Sequence, residues 1–194
     1  MRMKLGNLDF KIGGINPSGI GATIYRIAKG DILSWPTIAD DPNAEAGDAA
    51  SLSTYDGDFS LKAGAKWDTI YNTQGKGKCT FEPTGETDCK MFTNKGSFSY
   101  PDLTPELLAF CKASVNGDFV FIAKSAGRFH VIGSPDYRTV VTTNGDTGDS
   151  AGSSKGATFE IECPDVTPLP IYKGKIALTD GDLDCATGTF TPAG

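Results

Sequence analysis

The residues able to do chemistry in this sequence are few and scattered. A single histidine, His130, would have to serve any Ser-His-Asp or Cys-His arrangement. It stands in Arg128-Phe-His-Val-Ile132, where alternation sets it opposite Phe129 and Val131 on the wetter face of a strand. No nucleophile-elbow sequence accompanies it, so a structural or surface histidine is the better reading. Cys79, Cys89, Cys111, Cys163 and Cys185 form an odd set without CxxC spacing, which suits neither a secreted disulfide framework nor a zinc site. They read as buried or half-buried thiols in a reducing compartment, with Cys79 and Cys89 the one pair that a hairpin could set face to face. Asp180-Gly-Asp-Leu-Asp184 spaces its carboxylates as a calcium loop does. However, Cys185 stands where the sharp-turn glycine belongs and Thr191 where a bidentate Glu would close the shell, so a solvated acidic turn is expected. Gly75-Lys-Gly-Lys78 and Ser153-Ser-Lys-Gly156 lack the spacing of a phosphate loop. Glu160 and Glu162 share one strand face about 7 Å apart by strand geometry, with nothing around them to mark a sugar cleft. The expectation is a chain with no catalytic residue, no metal and no cofactor.

Composition agrees with a folded, non-helical architecture. Hydrophobic residues at 39% and aromatics at 10% supply a core and exclude wholesale disorder, while 24 Gly and 11 Pro suit many turns between short strands. Net charge is −6, from 18 basic and 24 acidic residues, which disfavours tight nucleic-acid binding because phosphate neutralisation needs a basic surface. Neither a signal-peptide pattern nor an apolar run of bilayer length is present, so a soluble, unsecreted, membrane-free protein is expected.

The elements that must position these residues are mostly strands. Ala157-Thr-Phe-Glu-Ile-Glu-Cys163 puts Ala157, Phe159, Ile161 and Cys163 on one face and Thr158, Glu160 and Glu162 on the other. Asp118-Phe-Val-Phe-Ile-Ala-Lys124 is apolar on both faces and needs cover from a second sheet, a helix or a neighbouring subunit. It pairs with Arg128–Ile132 through Ser125-Ala126-Gly127, read as a three-residue turn with a left-handed glycine. Further strands are expected at Gly19–Ile27, Lys66–Tyr71, Lys78–Glu82, Cys89–Thr93, Gly96–Tyr100, Arg138–Thr142 and Lys173–Thr179. Their spacing argues for an antiparallel β-sandwich or barrel. One helix interrupts them: Thr104 is a good N-cap, Pro105 suits the first helical position, Asn116-Gly117 ends it, and Leu107, Leu108 and Cys111 give it an apolar side. Trp35 and Trp67 read as packing residues. Asp40–Asp48 and Thr142–Gly156 lack periodicity and read as long loops, able to order on contact with a partner. The whole chain, 1–194, reads as one domain, with residues 1–18 and 180–194 as flexible or assembly arms.

From residue 50 to 179 the order of features resembles the tail tube proteins of long-tailed bacteriophages, in particular major tail proteins of Bacteroides-type phages and prophages. The segments that carry the resemblance are Lys66-Trp-Asp-Thr-Ile-Tyr71, Thr104-Pro-Glu-Leu-Leu-Ala-Phe110 leading into Asp118–Lys124, Ala126-Gly-Arg-Phe-His-Val-Ile-Gly133, Gly148-Asp-Ser-Ala-Gly152, Ala157–Glu162 and Thr167-Pro-Leu-Pro-Ile-Tyr-Lys-Gly174. The resemblance implies a sandwich or barrel with one flanking helix, six copies closing into a ring, and rings stacking into the tube of a virion tail through which DNA passes without specific binding. It implies tape-measure and tail-terminator proteins as partners, and synthesis in a bacterial host's cytoplasm. On this reading the assembly loop is Gly145, Asp146, Thr147, Gly148, Asp149, Ser150, Ala151 and Gly152. A monomeric β-sandwich binding module for carbohydrate or protein is the alternative, as is the inner tube of a phage-like injection machine.

Overall fold

Alternating burial, strongest in the sequence at Ala157–Cys163, organises the molecule. The computed structural model describes residue 8, residues 12–39 and residues 49–194, and within them the chain is mainly β with a single α-helix. In chain order the strands are β1 (Thr23–Ala28), β2 (Ile32–Ser34), β3 (Thr54–Tyr55), β4 (Ser60–Leu61), β5 (Asp68–Tyr71), β6 (Lys78–Thr84) and β7 (Met91–Tyr100). Helix α1 (Pro105–Ser114) follows, and then β8 (Phe119–Ser125), β9 (Arg128–Ile132), β10 (Val140–Asp146), β11 (Gly156–Asp165), β12 (Ile171–Tyr172), β13 (Lys175–Leu178), β14 (Gly181–Asp184) and β15 (Thr189–Pro192). A six-stranded sheet, ordered β3-β12-β9-β8-β1-β5, packs against a four-stranded sheet, ordered β10-β11-β7-β6. The meander β13-β14-β15 lies over the other face of the larger sheet. Pairing is antiparallel throughout the two main sheets except between β3 and β12. No helix among the described residues is long and apolar enough to cross a membrane.

Strand β8 is the hub. Its Phe119, Phe121 and Ala123 enter a first core with Phe98, Phe159 and Ile161 of the four-stranded sheet, while Val120 and Ile122 enter a second with Phe129, Val131, Trp67, Tyr172 and Ile176. Both apolar faces are therefore covered inside one molecule. The option that a neighbouring subunit covers this strand is corrected: the four-stranded sheet seals one face, and the meander with Tyr55, Phe59 and Trp67 seals the other. Each such buried side chain contributes about 1.5–3 kcal/mol, so the chain has strong reason to close on itself.

The helix begins as its sequence predicts, with the Thr104 hydroxyl accepting from Leu107 N–H at 3.2 Å and Pro105 in the first turn. Leu107 is buried in the first core with Phe110 and Cys111 partly buried beside it, but Leu108 is 52% exposed and does not belong to the packed side. Strand boundaries also differ from expectation. The expected strands Cys89–Thr93 and Gly96–Tyr100 merge into one, β7, which begins at Met91 and leaves Cys89 and Lys90 in the preceding turn, because its polar middle is held in the sheet by pairing with both β6 and β11. There Gly96 leaves room for Ile132 of the opposite sheet, whose Cδ1 would lie 2.6 Å from any added Cβ. Ser125 pairs with Arg128, so the β8–β9 turn holds two residues, Ala126 (φ 49°) and Gly127 (φ 80°), the type I′ geometry that matches strand twist.

The C-terminal segment expected as an arm instead forms β14 and β15, because Leu183 and Cys185 are buried in the second core. At the other end, residues 12–18 have no regular structure. The remainder of the expected N-terminal arm, apart from Leu8, and the acidic stretch 40–48 lie outside the described residues.

Candidate assembly site

The expected assembly loop caps the β10–β11 hairpin, and it is tighter than its composition suggests. Thr142–Asp146 are not loop but continue β10, with Asn144 opposite Thr158, Gly145 opposite Ala157 and Asp146 opposite Gly156. The turn proper is Thr147–Lys155. Its side chains close on themselves: the Asp146 carboxylate accepts from Gly148 N–H at 2.8 Å, Ser153 N–H donates to Ser150 carbonyl at 3.0 Å, and the Ser150 and Ser153 hydroxyls meet at 2.8 Å. The Ser153 hydroxyl also donates to Asp149, which holds that carboxyl below its ordinary range. At the base, Lys155 pairs with Asp102 at 2.8 Å and lowers its pKa, assisted by the Leu103 N–H. Gly156 has φ 137°, and a Cβ there would collide with the Tyr100 carbonyl, so β11 begins only where a glycine lets it cross the end of β7. All eight candidate residues, Gly145 to Gly152, thus sit on one hairpin tip, exposed except for half-buried Gly148.

That hairpin forms one margin of the four-stranded sheet. β10 is the outer strand there and β6 the outer strand at the opposite margin. Natural sheets blunt such margins with lysine, proline or cover, since an unpaired strand edge templates further pairing. β6 follows that rule, with Lys78 at its start and Pro83 near its end. β10 reads Val-Val-Thr-Thr-Asn-Gly-Asp, with neither lysine nor proline, and its Val140 is 56% exposed. Helix α1 closes the side of the sandwich next to β10, where Cys111 meets Thr143.

The residues considered for chemistry are held in structural roles. His130 is half-buried, and its Nδ1–H donates to the Leu169 carbonyl at 3.1 Å. Leu169 stands at φ 40°, unusual for a leucine, and its own N–H donates to Asn94 at 2.8 Å, so two side chains fix this bend between Pro168 and Pro170. Burial raises the Cys79 and Cys185 thiols to about 12 and Cys163 to about 11, which keeps all three protonated and poorly nucleophilic near neutrality. Cys79 pairs in register with Gly96, and Cys89 lies beyond the strands in the β6–β7 turn, so the hairpin does not set these two cysteines face to face; both are free. Glu162 is one arm of a surface pair in which Lys95 reaches it at 3.3 Å and Glu82 at 2.7 Å. Asp184 accepts from Ala186 and Thr187 N–H groups at 2.8 and 3.2 Å, closing the β14–β15 turn. Among the described residues no group of His, Cys, Asp and Glu gathers as metal ligands do.

One polar cluster escaped sequence reading. Asn94 is fully buried on β7, donating to Thr167 carbonyl at 2.9 Å and to Asp165 at 3.4 Å. Burial raises Asp165 to about 6, against the pull of the Thr167 and Val166 N–H groups that it accepts. Asp165 borders a cleft of about 990 Å³ whose lining includes Ile38, Tyr55, Phe92, Tyr137 and Val166. An asparagine and an aspartate far apart in sequence carry no motif, so only the β7–β11 register could have joined them.

No protein-family model, no curated protein and no solved structure matches this chain.

Proposed function

We propose that this protein is a non-enzymatic, self-assembling structural subunit: the tail tube protein of a long-tailed phage or prophage, or the equivalent inner tube of a phage-like injection machine. The observation that carries the reading is the β10 margin, whose strand bears neither lysine nor proline and has helix α1 beside it only near Thr143. A strand that bears no lysine or proline, at the margin opposite one that bears both, is suited to pairing with a second copy. Head-to-tail pairing of this kind closes into a ring where the rotation closes, and six copies are expected from the family resemblance. The hairpin tip Gly145–Gly152 projects beyond the sheet and serves the ring-to-ring contact. Net charge of −6 suits a conduit for DNA, because a lysine-rich lumen would hold phosphates spaced at one charge per ~1.7 Å. Tape-measure and tail-terminator proteins are the partners this role requires, and the virion tail is its place.

The test is negative-stain microscopy with sedimentation of the purified chain. The wild type is expected to form rings or tubes at high concentration. Val140→Lys with Thr142→Lys, two exposed positions of β10, is expected to remain a 20.4 kDa particle with an unchanged circular dichroism spectrum. A wild type that stays monomeric at every concentration refutes the proposal. The second reading, a monomeric binding module, draws on the Asp165 cleft, and a monomer that binds a glycan there would establish it.

A further inference from the structure

The Asp165 cleft has a composition that points to its occupant. Its lining is largely apolar, with Ile38, Leu52, Phe92 and Val166 among the contributors; among the described residues its charged groups are Asp136 and Asp165, with no lysine or arginine. A groove of this kind takes a chain segment that is both apolar and cationic. Two stretches of the sequence compete for it. Residues 40–48, between lining residues Ala39 and Ala49 in sequence, carry Asp40, Asp41, Glu45 and Asp48 with no cation, the same sign as the groove. Residues 1–18 carry Arg2, Lys4 and Lys11 against one carboxylate, Asp9, the reverse of the chain's overall balance. They also present apolar side chains with nothing to cover them: Leu8, Ile12 and Ile15 are 97%, 92% and 97% exposed. Large aliphatic groups left so fully in water favour burial elsewhere.

We infer that the N-terminal segment of one copy docks in the Asp165 cleft of a second copy, its Leu8, Ile12 and Ile15 meeting the apolar walls and its cations meeting Asp136 and Asp165. This rests on the self-assembly proposed above, since the segment acts between copies. The reach is sufficient. Gly19 and Gly21 anchor the segment's base, through the Ser125 hydroxyl and the Lys124 carbonyl, and eighteen extended residues span up to about 60 Å. Docking also answers a question about Asp165. An ionised carboxylate this buried is costly even with the Val166 and Thr167 N–H groups donating to it, and a cation delivered from outside offsets the remainder.

Disulfide trapping tests this in the full-length chain with Cys89→Ser to remove the exposed thiol. Ile12→Cys on one chain is mixed with Val166→Cys on another, Val166 being 75% exposed at the cleft. The expected result is a mixed disulfide of twice the chain mass, not seen when Val115→Cys on the helix replaces Val166→Cys. Asp136→Asn in the receiving chain is expected to slow trapping about fivefold, the size of one opposite-charge contact near water. No linking above the Val115→Cys control overturns the proposal, as does linking confined to a single chain carrying both cysteines. The two readings separate cleanly. Tubes that form in wild-type yield from an Ile12→Asp, Ile15→Asp chain overturn arm docking and leave the tube reading standing, whereas mixed disulfides without rings uphold docking and refute the tube.

Discussion

The two margins of the four-stranded sheet are built from the same fold and finished differently. At β6 a lysine and a proline guard the outer strand, and every residue except Cys79 is exposed. At β10 the strand leads into a hairpin held by its own aspartate and serine side chains, with neither lysine nor proline along it. The faces of the sheets, by contrast, are satisfied within one molecule, β8 on both sides. The lesson is that the faces are closed within one molecule, so that the proposed association would have to use the margins. Burial of apolar faces makes the subunit, and on the proposed reading the β10 strand, without lysine or proline, is where a second copy pairs.

That contrast can be broken or sharpened by substitution. The largest effect belongs to the faces. Phe159→Ala removes a fully buried ring stacked 4.7 Å from Phe98, and is expected to cost about 3–5 kcal/mol in urea unfolding. A loss below about 1 kcal/mol there would mean that the first core does not hold the subunit together. Next comes Asn94→Ala, which leaves the Leu169 N–H and Thr167 carbonyl without their partner in a buried setting and is expected to cost about 2–3 kcal/mol. A loss of that size should release the bend at Leu169, seen as faster amide exchange across residues 165–169.

A third effect depends on pH. Asp165 binds its proton more tightly folded than unfolded, so its contribution to stability is fully present below about pH 4 and is lost as pH rises toward 6. A shift of this size corresponds to on the order of 2–3 kcal/mol. Asp165→Asn is expected to flatten the slope of unfolding free energy between pH 4 and 6 relative to wild type; an unchanged slope would place the carboxyl outside the folded core. The smallest effect on stability is at the margins, within about 0.5 kcal/mol for exposed positions. Exchanging the guards is nevertheless expected to redirect association: Lys78→Val with Pro83→Thr should make the β6 margin associate, while lysines at 140 and 142 should silence β10.

Much of the fold was legible where one face of an element is dry. Ala157, Phe159, Ile161 and Cys163 are buried and Thr158, Glu160 and Glu162 exposed, as alternation demands, and the helix starts at its Thr104 cap. The apolar faces of Asp118–Lys124 announced a need for cover but not its source, because cover came from Trp67, Tyr172 and Ile176, distant in sequence. The end of β10 was invisible since Thr142–Asp146 pairs through backbone alone and buries little. The last two strands of the C-terminal meander, β14 and β15, were missed for a similar reason, two buried side chains in a run of small and acidic residues being too few for a pattern. At the candidate site, glycine and serine content pointed to a loop, which the fold narrows to the Thr147–Lys155 turn, while the lysine and proline that distinguish the margins gain meaning only once sheet order is known.

The most direct measurement is amide hydrogen exchange as protein concentration is raised. The account predicts that Val140–Asp146 gains protection as copies pair there, with Lys78–Thr84 unchanged. Protection gained instead along β6, or nowhere in the four-stranded sheet, would contradict it.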